Sequence, residues 1–172
     1  IKATTTASDY IVCKNITSFE ERVEWNGQTE EDKKSRFARL ALQNSGDKIF
    51  NFRLIEGRLF REEDWVTNSN TPRNIFNSPI LNKIILTQSA VTAMRIEHPI
   101  GEIIRIPIGI FRKGDLEWHY SDYEIIGVVK DLYSQGMKTE VYPTIISQAH
   151  NWMQSINYFQ VVPGTERNAI KA

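Results

Sequence analysis

The chain carries one cysteine, Cys13, so no disulfide can form within it and no thiolate zinc site of the structural kind can be assembled from it. Long apolar runs are also missing. The longest, such as Ile84 to Leu86 and Ile125 to Val129, are strand-sized, against the roughly 18 apolar residues that a membrane-spanning helix needs. Charge of one sign is lacking too: 21 Lys and Arg balance 21 Asp and Glu, and neither sign gathers into a block. That removes the electrostatic footprint of a nucleic-acid or anionic-membrane partner. No phosphate-binding loop, no Gly-x-Ser-x-Gly turn and no repeat of about 20–50 residues is present.

What is there is a folding sequence. Its 172 residues are 41% hydrophobic and 10% aromatic, inside the ordinary globular range and enough for a sizeable core. It opens on Ile1-Lys2-Ala3 and stops at Ala169-Ile170-Lys171-Ala172, where a helical pattern is only starting. Both ends read as boundaries inside a larger protein.

Local patterns give a string of strands with little helix. Ile1 to Ser8 is Thr-rich and β-prone. Val23-Glu24-Trp25 before Asn26-Gly27 is a hairpin signal, because Asn-Gly suits a type I′ turn, with Phe37 to Gln43 as a second strand. Asp47 to Leu54 reads as a helical turn passing into a strand that ends at Glu56-Gly57-Arg58. Residues 61–79 are polar and turn-rich, an exposed loop. Lys83 to Leu86 is a strand; Thr87 is the expected N-cap of a short helix with Ala90, Val91, Ala93 and Met94 on its apolar face, stopped by His98-Pro99-Ile100-Gly101. Ile103 to Ile110 is strand material interrupted by Pro107, which suits an edge or a bulge. Leu116 to Tyr120 is read as its return strand and Tyr123 to Val129 as a separate buried strand. Val141 to Ser147 and Ile156 to Val162 complete the set.

Four pieces in order carry a family resemblance: Leu54-Ile55-Glu56-Gly57-Arg58-Leu59-Phe60, Ile85 to Val91, Pro99-Ile100-Gly101-Glu102-Ile103-Ile104, and Tyr123 to Asp131. Together they resemble the periplasmic core domain of MacB/FtsX-like ABC-transporter permeases, with Tyr142-Pro143-Thr144-Ile145-Ile146 in the style of Bacteroides-like organisms. The sequence departs from the family's usual pattern at Thr87, where Asn is common, and at Arg95, where Gly commonly ends the helix. The resemblance implies an α+β fold: a mixed α/β porter-like part, 1–55 with 150–172 and truncated at its N-terminus, carrying a β-rich, sabre-like insertion at 56–149. It also implies a non-catalytic domain between membrane helices of its own permease, on the extracytoplasmic face of a bacterial inner membrane. The ABC ATPase would then act on it indirectly, from a separate cytoplasmic subunit or domain. An adaptor or lipoprotein of the envelope is an expected partner, and the full-length protein is expected to be dimeric and the isolated domain monomeric. No cofactor or metal is expected.

The residues expected to matter structurally are Gly57, Arg58, Gly101, Gly127 and Asp131, none with a catalytic role. Trp65 and Trp152, each in a polar stretch, are candidate contacts for a partner, while tryptophans in general read as core. The histidines His98, His119 and His150 lack zinc-site spacing, and Glu62-Glu63-Asp64 reads as a solvated helix start rather than an acid–base pair. The rival expectation is a free-standing ligand-binding or hydrolytic α+β domain, whose mark would be a closed pocket gathering Arg58, Asp131 and His119.

Overall fold

The computed structural model describes residues 3–7, 19–20, 22–42, 46–64, 82–112, 115–132, 141–148, 156–160 and 164. The described strands are β1 (Ala3–Ala7), β2 (Phe19–Glu20), β3 (Glu24–Trp25), β4 (Phe37–Leu42), β5 (Leu54–Gly57), β6 (Asn82–Thr87), β7 (Ile103–Arg112), β8 (Asp115–Val129), β9 (Thr144–Gln148) and β10 (Ile156–Gln160). Two short helices join them, α1 (Gly46–Phe50) and α2 (Gln88–Met94).

All ten strands belong to one mixed sheet, in the order β10-β1-β4-β9-β6-β8-β7-β3, with β2 also on β4 and β5 also on β8. The pairs β4–β9 and β6–β8 are parallel. Parallel strands need both faces covered, and the central strands comply: Ile84, Ile85, Leu86, Ile145 and Ile146 are all fully buried. Because successive side chains leave a strand on opposite faces, these runs feed two cores. Ile84, Leu86, Ile104, Ile125 and Ile145 pack with Trp25, Phe37 and the α2 residues Ala90 and Met94 on one face. Ile85, Leu40, Leu42, Ile126 and Ile146 pack with Phe52 and Phe60 on the other. The sheet and both cores draw on residues either side of position 55.

Four expectations need correction. The Asn26-Gly27 turn forms, with the Gln28 amide donating to the Trp25 carbonyl at 3.3 Å, but Gly27 (φ 79°) has a positive φ and Asn26 has not. That is a type II pattern, whose twist splays the flanking strands; β3 pairs with β7 instead, Trp25 opposite Ile104. Leu116 to Tyr120 and Tyr123 to Val129 are one continuous 15-residue strand, because β7 pairs with its first part and β6 with its second. Thr87 sits at the N-cap of α2, but its hydroxyl makes no cap bond; it accepts from the Thr144 amide of β9 at 2.9 Å. The helix ends at Met94, before His98, because Arg95 turns left-handed (φ 56°, ψ 35°).

Pro107 lies opposite Tyr120 on β8. On its other side β3 reaches only Ile104 and Arg105, so among the described residues the missing N–H faces no strand there, as an edge position requires. No helix among the described residues is long and apolar enough to cross a membrane.

Candidate functional site

Four of the five residues singled out from the sequence meet at one place, where the edge of β8 passes from β5 to β7. Gly57 pairs with Gly127 at the end of β5, and the Arg58 amide donates to the Ile126 carbonyl at 2.9 Å. One step along, the Gly101 amide donates to the Ile125 carbonyl at 2.8 Å and the Ile125 amide to the Glu102 carbonyl at 2.9 Å. The register also slips here on both sides of β8, between Ile84 and Ile85 on β6 and between Leu54 and Glu56 on β5. Such bulges bend a strand and sharpen its twist.

The glycines follow from this crowding. A Cβ on Gly127 would overlap the Arg58 carbonyl oxygen, and one on Gly57 would overlap the Ile126 carbonyl oxygen and the end of the Ile100 side chain. Gly101 has open space around it but a φ of +88°, which only glycine adopts without strain.

Arg58 carries on from the joint. Its guanidinium forks onto Asp64, Nη2 to Oδ1 at 3.0 Å with Nη1 on Oδ2, and also donates to the Leu59 carbonyl at 3.2 Å. Asp64 is the last residue of a 3₁₀ turn, Glu62–Asp64, and reaches back to accept from the Arg61 amide at 2.7 Å. Burial pushes its carboxyl up, but the bonds from Arg58 and Arg61 and the Arg58 charge outweigh that and hold it below the ordinary carboxylate range. The Gln148 side-chain amide of β9 donates to the Asp64 carbonyl. Glu62 and Glu63 are exposed, so this triplet is a tether rather than an acid–base pair.

Asp131 lies elsewhere, just past β8, where its Oδ1 accepts from the Ser89 amide at 2.8 Å and completes the N-terminal turn of α2. His119 stands 3.5 Å from a Glu117 carboxylate oxygen and His98 is exposed. Arg58, Asp131 and His119 thus serve three separate arrangements and do not converge. Trp65, Trp152 and His150 lie outside the described residues. Trp25 is core, edge-on to Phe37 with centroids 5.8 Å apart; Trp118, contrary to the core expectation, is 47% exposed, with the Arg22 guanidinium 5.0 Å from its ring centre.

Among the described residues no cluster of His, Cys, Asp and Glu could hold a metal. A half-open depression of about 520 Å³ lies over Arg22 to Gln28, with Lys33 and Tyr120 on its wall. Of its charged groups, Lys33 is paired with Glu30 at 2.6 Å and Glu24 with Arg105 at 2.8 Å, while Arg22 lies over the Trp118 ring.

Comparison with solved structures places the architecture. The periplasmic region of MacB from Actinobacillus actinomycetemcomitans superposes over 99% of this chain with a TM-score of 0.55 at 17% identity. The extracellular domain of the noncanonic ABC-type transporter YknZ from Gram-positive bacteria superposes over 98% with a TM-score of 0.56 at 10% identity. The chain has the MacB periplasmic fold. It spans 63% of the MacB region and 70% of the YknZ domain. No protein-family model matches the sequence, and no curated protein matches it. Set in this fold, the joint of Gly57, Arg58, Gly101 and Gly127 lies at the junction of the central sheet with the long β7–β8 ribbon. Sequence reasoning missed Asp64 and Gln148 as its tether. An aspartate placed to accept from the backbone amide three residues before it, Asp64 from residue 61, was the available signal for the turn; nothing local pointed to Gln148.

Proposed function

We propose that this chain is the extracytoplasmic domain of an ABC-transporter permease and acts as a non-catalytic relay between the membrane helices of that permease and a substrate or envelope partner. The observation that carries the reading is the superposition of nearly the whole chain on the periplasmic region of MacB and on the extracellular domain of the ABC-type transporter YknZ. The packing supports it. One sheet with a core on each face resists deformation, so applied motion moves the body rather than spreading through it. On this reading the parts 1–55 with 150–172 and 56–149 share that one sheet, and an ABC ATPase acts from across the membrane through the permease's helices. An adaptor or lipoprotein is the partner class, and the working permease is a dimer.

The reading as a ligand-binding or hydrolytic domain lacks a comparable observation, since its proposed polar groups are engaged separately. The test is topology and motion in cells. Glu30 and Glu97 are exposed; the parent protein with a single cysteine at either, in a background freed of every other cysteine, Cys13 included, should react with a membrane-impermeant maleimide on intact cells. The reaction rate should change when its ATPase is inactivated. Labelling only after lysis would remove the extracytoplasmic placement; labelling on intact cells that ignores the ATPase would remove the relay.

A further inference from the structure

Helix α2 is seven residues long, and isolated helices shorter than roughly 12–15 residues are marginal in water. Its own N-cap hydroxyl is committed to β9. The start is completed from a distant part of the chain, and the finish, besides the local bonds of the Arg95 and Ile96 amides to the Thr92 and Val91 carbonyls, is held by two distant groups. At the start, the Ser89 amide donates to Asp131, just past the end of β8. At the finish, the Met94 carbonyl accepts from Trp25 Nε1 at 2.9 Å in a buried bond, and the Arg95 guanidinium grips the Asp32 carboxylate. Asp32 in turn accepts from the Thr29 amide at 2.8 Å and the Thr29 hydroxyl at 2.7 Å, which fixes the strap formed by residues 22–36. Trp25 belongs to β3, which pairs with β7, and β7 pairs with β8. The bonds therefore close a ring: β8, Asp131, α2, Trp25, β3, β7 and back to β8.

We propose that α2 is a strut that forms and opens as one unit, so that the strap at its C-terminal end and Asp131 at its N-terminal end are thermodynamically coupled although they do not touch. The reason is the cost of nucleation: a helix this short has few internal bonds, and releasing either end leaves too few to hold the other. Coupling between separate sites needs an element with two discrete states that both sites bias, and α2 is that element. The inference rests on these contacts alone and stands whether or not the domain is a transport relay.

Amide hydrogen exchange on the 172-residue chain tests it, with one reporter at each end. The Ser89 amide reports the N-terminal end, and the Ile96 amide, bonded to the Val91 carbonyl at 3.4 Å, reports the other. Asp131→Ala should speed exchange at Ile96, and Asp32→Asn should speed exchange at Ser89, each by roughly 2- to 30-fold, the range for a lost helix cap. The sheet amides of Ala38 and Ile125 should keep their rates. If Asp131→Ala does not fold, Asp131→Asn, which keeps the shape and loses the charge, is read the same way. An effect confined to the mutated end, or one shared equally by the sheet amides, overturns the proposal.

Discussion

Gly127 lies against the carbonyl oxygen of Arg58, so close that a methyl group on its Cα would occupy the same space. The approach cannot relax easily, because the Arg58 amide is bonded to the neighbouring Ile126 carbonyl at 2.9 Å and Gly57 is in register with Gly127. Gly127→Ala should therefore destabilise the fold by roughly 1–3 kcal/mol, the cost of forcing extra volume into a packed site. Urea unfolding would give a lower midpoint with an unchanged slope. An unchanged midpoint would mean that β5 is not held where it is described.

Gly57 and Gly101 make a ranked pair. Both have positive φ, but alanine at 57 would also meet the Ile126 carbonyl and the Ile100 side chain, whereas 101 is open. Gly101→Ala should cost about 1–2 kcal/mol, the left-handed penalty alone. Gly57→Ala should cost that and a further clash of roughly 1–3 kcal/mol. Denaturation midpoints in the reverse order would contradict the packing at the joint.

The positive φ of Gly57 and Gly101 is a demand of their own turns and so lies within reach of a local motif, whereas the need for glycine at 127 comes from the Arg58 carbonyl oxygen, distant in sequence. Periodicity likewise exposed β6, α2 and most of the buried strands, since alternation and a 3.6-residue repeat are written into neighbouring residues. The failures share a cause. Whether the strand after Asn26-Gly27 returns to β3, whether Leu116 to Val129 is one strand or two, and which side chain caps α2 are all decided by partners distant in sequence. Asp131 and Ser89 are 42 positions apart. Arg95 stands where a glycine is common in the family the sequence resembles, but its compensation by Asp32 lies 63 residues away.

Acid should weaken the tether below the joint. The Asp64 carboxyl is raised by burial and lowered more by its bonds to Arg58 and the Arg61 amide, so it ionises below its ordinary range in the fold; in the unfolded chain it returns to about 3.9. A folded value that is depressed adds stability above the unfolded value and loses it as pH falls through the folded one. Asp32 titrates in the same window, lowered to about 2 by the Thr29 hydroxyl, the Thr29 amide and Arg95 in that order, so the comparison is made in an Asp32→Asn background. There, Asp64→Asn should lose roughly 1–3 kcal/mol at neutral pH, the worth of hydrogen bonds to a charged group. Its stability should then fall less steeply than that of Asp64 protein below about pH 4. Parallel curves would show that Asp64 carries no linked proton.

Arg95 offers a test of why a residue with a side chain occupies a left-handed position that glycine usually fills. The position itself is demanded by the end of α2: the Arg95 amide bonds the Thr92 carbonyl at 3.2 Å and the Ile96 amide the Val91 carbonyl at 3.4 Å, the two bonds of a Schellman turn. Arginine there carries strain of about 1–2 kcal/mol, and its pair with Asp32, exposed on the arginine side, is a surface ion pair that returns less than that. Arg95→Gly removes both and should leave thermal stability within about 1 kcal/mol of the starting protein. Arg95→Val keeps the strain, adds a β-branch and loses the pair, so it should be the less stable of the two by at least about 1 kcal/mol. If glycine instead costs as much as valine, the guanidinium's hold on Asp32 outweighs the backbone strain, and the strap is anchored more by that contact than by the buried Trp25 bond to Met94.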